Sequence, residues 1–318
     1  MRAYAIRRIV LVIPTLFILS VLVFLTVRLI PGDIIDAMEI RFEDAEDIDR
    51  AAIERLLGLD DPIHVQYAKW VGDILLHGSL GHSMWGDPIS IQRRVFEKIP
   101  VTLQLGVMSI GVGLLIAMPV GIYSAMRQDT AADYGGRTLA IIGMATPNFW
   151  LGMMVMIYPA IWWGWSPPME YIPITEDPGH NLRMLIIPSL VLGTGMAAST
   201  MRLTRTMMLE SLRQDYVRTA WSKGLTERVI VFRHVVKNAL IPVITAIGMQ
   251  LPIVIGGSVI VESIFNLPGL GRYALDALIE RDYPVIAGVN LVFAVVVVGS
   301  NLLIDLVYPY LDPRVRYS

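Results

Sequence analysis

Six apolar runs, each close to twenty residues long, are the strongest constraint on this chain, because no soluble core of ordinary size hides that many. They fall at about 9–29, 101–126, 139–165, 185–203, 239–260 and 285–307. Each meets the ~20 residues that an α-helix needs to cross a ~30 Å hydrocarbon core. In lipid the backbone must satisfy its own hydrogen bonds, so such runs read as helices. The expected fold class is an all-α integral membrane protein, with six transmembrane helices in one transmembrane domain over 1–318. Hydrophobic residues make up 54% of the sequence, which agrees. Pro119, Pro147, Pro159, Pro188 and Pro252 lie within or beside runs, where neighbouring helices can satisfy the freed carbonyls. Arg2, Arg7 and Arg8 ahead of the first run look like the start of a signal peptide. That run is too long for one and no A-x-A-like site follows it, so it is read as a retained helix.

Lysine and arginine set the orientation. With the N-terminus in the cytoplasm, the inside segments hold Arg2, Arg7, Arg8, Arg127, Arg137, a cluster between Arg202 and Lys237, Arg314 and Arg316. The short outside loops hold only Arg183, Arg272 and Arg281. This bias predicts cytoplasmic N- and C-termini.

The segment 31–100 is then an extracytoplasmic loop. Its pattern predicts a helix over 45–57 and a second one opened by Asp61-Pro62, with Val65, Ala68, Val71, Ile74 and Leu75 at helical spacing. Such a helical cap fits either a docking surface or a lid resting on the bundle. No internal repeat and no second domain is visible.

Several chemistries are excluded. Net charge is −2, which offers no basic excess for nucleic acid. The chain has no cysteine, so disulfides and thiolate metal sites are ruled out. The five histidines show no H-x-x-x-H spacing, and no metal or cofactor is expected in this chain. There is no G-x-S-x-G, H-E-x-x-H or S-x-x-K, and no G-x-x-x-x-G-K-[ST] to hold ATP.

The segment 204–238 is the informative one. It is basic and helix-forming, lies between two spans, and has one glycine, Gly224, at its middle. A glycine there permits positive φ and predicts two short helices joined by a sharp turn. Val229, Ile230, Phe232, Val235 and Val236 are positioned to anchor one face on the bundle. Arg202, Arg205 and Lys237, at span ends, read as topogenic charge.

Arg218-Thr219-Ala220, Lys223-Gly224-Leu225 and Asn238-Ala239-Leu240-Ile241-Pro242 resemble the cytoplasmic coupling motif of ABC importer permeases. The likeness is closest to the dipeptide/oligopeptide (peptide/nickel) branch, first-permease type. Arg218 stands where the general pattern has Glu, which is itself usual in that branch. Gly78-Ser79-Leu80-Gly81, Ala145-Thr146-Pro147-Asn148-Phe149-Trp150 and Leu311-Asp312-Pro313 extend the resemblance over most of the chain.

The resemblance implies a type I permease fold and a prokaryotic cytoplasmic membrane. It also implies four kinds of partner besides the lipid bilayer. These are a second similar permease, two ATP-binding subunits carrying ATP and Mg, an extracytoplasmic solute-binding protein, and a substrate that is commonly a peptide. Oligosaccharides, glutathione and nickel chelates are other cargoes of the branch. By the same likeness Arg218, Thr219, Ala220, Lys223, Gly224, Leu225 and Glu227 should line the contact with an ATPase.

The fifth span carries the small run Gly256-Gly257-Ser258, which permits close helix approach, and it ends at Glu262. The following stretch, 263–271, resembles an outer element that shapes the gate in the family. Gly256, Gly257, Ser258, Glu262, Asn266 and Pro268 are therefore expected to border the pathway. Glu262 and Asp305 near span ends read as helix-end or packing carboxylates. A secondary transporter is the rival reading. It calls for inverted repeats and helices broken at the midplane, and neither is legible. An intramembrane enzyme finds no catalytic motif.

Overall fold

The computed structural model describes residues 2–29, 60–85, 90–168 and 170–311. The helix expected over 45–57 lies outside the described residues. In chain order the helices are α1 Arg2–Arg28, α2 Ile63–His77, α3 Ile91–Met126, α4 Ala131–Ala145 and α5 Asn148–Trp163. They continue with α6 Pro178–Leu212, α7 Asp215–Ser222, α8 Glu227–Ile264, α9 Leu270–Glu280 and α10 Tyr283–Leu311. Among the described residues the only strand-like pairing is an isolated bridge between His82 and Ser90.

Five helices (α1, α3, α6, α8 and α10) are long and apolar enough to cross a bilayer. The single helix expected over 139–165 is not formed. The α4–α5 pair stands there instead, bent by 95°, and the two helices together are long and apolar enough for a sixth span. Thr146 leaves helical geometry at ψ 119 because the ring of Pro147 disfavours the α region in the residue before it. Other spans are longer than expected. α3 starts at Ile91, and α6 runs on to Leu212, so the helix-breaking corner after α6 is compact.

Helix starts are chosen by local chemistry. Asp177 accepts a hydrogen bond from the His180 amide at 3.0 Å, with Pro178 in the first turn. The cap expected from Asp61 is not made. Pro62 takes the cap position of α2, and the Asp61 carboxylate pairs with Lys69 instead. On α2, Val65, Val71 and Ile74 are half-buried while Ala68 and Leu75 are exposed. Tyr67 and Trp70 fix the helix against Phe17 and Phe24 of α1, and Tyr67 hydrogen-bonds Ser20 at 2.8 Å.

The centre of the bundle is the α3–α6 pair. A Cβ on Gly193 would lie 2.8 Å from the Ser109 carbonyl oxygen, and one on Gly121 would lie 2.9 Å from Met201 O. Apolar lipid gives little hydrophobic drive for helix pairing, so such small-residue contacts carry it through packing. Gly193→Ala should push these backbones apart and cost about 1–3 kcal/mol of stability. The check is thermal unfolding in detergent. Gly256→Ala, where no atom lies within 4 Å of the new methyl, should leave the midpoint unchanged. α1 stands at the edge, against α10, where Arg8 pairs with Asp305 at 2.9 Å.

Candidate functional site

Two sites lie at opposite ends of the bundle. The first is the turn between α6 and α8. α7 is amphipathic: Val217 and Ala220 are buried against Ala125, Met208, Ile230, Val231, Val235 and Ala239. Its other face presents Tyr216, Arg218, Thr219 and Trp221 to solvent. Gly224 ends the helix at φ +74, and its amide donates to Trp221 O at 2.9 Å. The Leu225 amide reaches back to Ala220 O at 3.4 Å, so the two bonds close the end of α7 before α8 starts at Glu227.

The seven residues named for this surface divide. Arg218, Thr219, Lys223, Gly224 and Glu227 are exposed, Leu225 is half-buried, and Ala220 packs inward. The anchoring face differs from expectation. Ile230 and Val235 are buried and Val236 is half-buried, but Phe232 is 64% exposed and Val229 39%. The cause is a π-wound stretch, Ile230–Val235, at the base of α8. Its wider turn shifts the register, so Val231 takes the inward position instead.

Beside this turn Arg205 is not a free topogenic charge. Its Nε and Nη2 donate to the two oxygens of Asp133 at 2.8 and 2.7 Å. Ser124 also donates to Asp133, and the Asp129 amide does so at 3.1 Å. α6, carrying Arg205, is thereby pinned to the α3–α4 corner seven residues before its end at Leu212.

The second site is at the α9 end. Glu262 is fully buried. Its Oε1 accepts from Thr102 Oγ1 at 2.7 Å and Ser258 Oγ at 3.0 Å, and its Oε2 accepts from the Arg272 amide at 3.0 Å. Of the residues expected to border a pathway, only Ser258 and Glu262 meet. Gly256 and Gly257 are exposed on α8, with Gly256 lining a cavity of about 390 Å³ between α8, α9 and α10. Asn266 sits at positive φ in the turn and accepts from Arg272, and Pro268 is half-buried beside it. The helix-end reading holds for Glu262, and Asp305 is an ion-pair partner of Arg8. Asp282 is a further buried carboxylate that sequence reading passed over. It caps α10 through the Val285 amide at 3.3 Å and binds Ser83 and the Met84 amide.

The described residues form an all-helical bundle with five helices, or six counting the bent pair, long and apolar enough to cross a membrane, the architecture of a multi-pass membrane subunit. The chain belongs to the family described as the binding-protein-dependent transport system inner membrane component, which matches residues 117–317. Residues 1–105 match the N-terminal part of binding-protein-dependent transport membrane components. It is 38% identical over 320 residues to the oligopeptide transport system permease protein AppB of Bacillus subtilis, covering 100% of both chains. It is 37% identical over 339 residues to the dipeptide transport system permease protein DppB of Alkalihalophilus pseudofirmus, again covering 100% of both. A crystal structure of an amino acid ABC transporter with histidines aligns at TM-score 0.55 and 14% identity, covering 69% of this chain and 94% of that one. That likeness concerns the fold alone.

Proposed function

We propose that this chain is one of two membrane subunits of an ATP-driven importer of di- or oligopeptides. The observation that carries the reading is full-length similarity, at 37–38% identity, to permeases named for oligopeptide and dipeptide transport. The turn at Gly224 supports it, since α7 turns a polar face outward that its own bundle leaves uncovered. In this reading the α7 end is cytoplasmic. Two separate subunits bind ATP with Mg and dock on Arg218, Thr219, Lys223, Gly224 and Glu227. Ala220 and Leu225 support that surface from beneath.

A solute-binding protein delivers the peptide at the α9 end, and the path lies between this chain and a second permease. ATP binding favours one arrangement of the ATPases and so shifts the bundle between inward- and outward-open populations. This chain hydrolyses nothing itself and carries no cofactor. The membrane is the prokaryotic cytoplasmic membrane, with both termini inside.

The test is affinity purification of the tagged chain from mild detergent with mass spectrometry of its companions. Two P-loop ATPases (or two copies of one) and a second six-span protein are expected. Uptake assays with the recovered binding protein should then select peptides over oligosaccharides, glutathione and nickel chelates. A chain that purifies alone, with uptake driven by an ion gradient, would overturn the importer.

A further inference from the structure

The N-terminus of α9 is capped by another helix. The first turn of any helix leaves backbone amides without partners and carries partial positive charge. The cap residue of α9 is Gly269, which has no side chain to offer. The acceptor comes from α8: the Glu262 carboxylate receives the Arg272 amide, while Thr102 of α3 donates to Glu262 and receives the Leu270 amide at 2.8 Å. The space is closed around it. A Cβ on Gly269 would overlap the carboxylate, and one on Gly271 would come 2.7 Å from Val259 Cα. α9 is therefore locked onto α8 by a buried hydrogen-bonded joint with no room for a hinge.

The same α8 begins at Glu227, directly after the Gly224 turn, and is one helix of 38 residues. At 1.5 Å per residue it spans roughly 57 Å, more than the depth of the hydrocarbon core. Its base packs on α7 through Ile230 and Val231, and its far end carries Glu262.

We propose that Glu262 is a positioning residue that joins α8 and α9 into one transmission element, so that displacement of the 224–227 turn appears at α9 on the opposite face. Glu262 then touches neither substrate nor a transported proton, and α9 does not swing as an independent flap. This rests on the importer reading.

The absence of cysteine allows labels to be placed uniquely. In the assembled importer, one spin-label pair at Leu278→Cys and Leu182→Cys follows α9. A second pair at Phe232→Cys and Tyr123→Cys follows the base of α8; all four positions are exposed. With the native joint, a non-hydrolysable ATP analogue should shift both distances. In Glu262→Ala and Thr102→Val the Phe232 pair should still shift and the Leu278 pair should not. Transport per ATP hydrolysed should fall about tenfold or more with these buried hydrogen bonds lost. Thr102→Ser, which keeps the hydroxyl, should restore both readouts, separating the joint from a general loss of packing.

A Leu278 pair that shifts equally in Glu262→Ala overturns the proposal. So does a native complex in which only the Phe232 pair moves, and there the importer reading stands. If neither pair responds and no ATPase accompanies the chain, the importer reading falls and this proposal with it.

Discussion

In the proposed importer, Gly224→Pro should abolish transport while the chain still inserts and the ATP-binding subunits still hydrolyse ATP. The reason is conformational. Gly224 sits at φ +74 with its amide bonded to Trp221 O, and proline fixes φ near −65° and has no amide hydrogen. The turn must then rearrange, and the polar face of α7 moves with it. Crowding is not involved, because nothing lies within 4 Å of a Cβ placed there. The other substitutions should therefore rank by tolerance of positive φ and not by size. Gly224→Asn should transport better than Gly224→Ala, because Asn is several-fold enriched in the left-handed region. Gly224→Ala costs about 1 kcal/mol of strain, and Gly224→Ile should be worse. Uptake per ATP hydrolysed in reconstituted vesicles measures this directly. Normal uptake by Gly224→Pro, or a ranking that follows side-chain volume, would show that the left-handed turn at Gly224 does not couple ATP hydrolysis to transport.

That turn was legible because a single glycine between helix formers has few other uses. The spans were legible for a similar reason, since twenty apolar residues in a row admit one structure. The break at Thr146-Pro147 was not. Proline within a span is tolerated straight, kinked or broken, and the choice depends on neighbours the sequence does not name. Phe232 and Val229 were misplaced because helical periodicity was carried through a segment wound as a π-helix. No residue type marks that change of winding. The close approach of Glu262 to Gly269 and Gly271 was not legible either, because it is fixed by the fold of α9 back onto α8. Arg205 was read as topogenic because its partner lies 72 residues away, and no local spacing connects them.

Arg205→Met should destabilise the chain by about 3–5 kcal/mol, the range for a buried pair that loses one member. Asp133 is fully buried, so its carboxylate would keep only Ser124 and the Asp129 amide in place of a bidentate guanidinium. Arg205→Lys should recover little, because one ammonium cannot reproduce the two parallel bonds from Nε and Nη2. Removing both charges is different. Asp133→Leu with Arg205→Met leaves no uncompensated ion and should regain most of the lost stability, giving a strongly non-additive double-mutant cycle. Thermal unfolding of the four proteins in one detergent is the measurement.

Function need not follow stability back. The pair holds α6 to the α3–α4 corner just before the chain turns into α7, so it sets the support against which the turn is pushed. In the proposed importer the double variant should be stable but poorly coupled, with the ATP-binding subunits still hydrolysing ATP and uptake reduced. Additive losses would mean the pair contributes nothing as a pair. A stable double variant with full uptake would mean that α7 takes its support from the apolar cluster around Ile230 and Met208 alone.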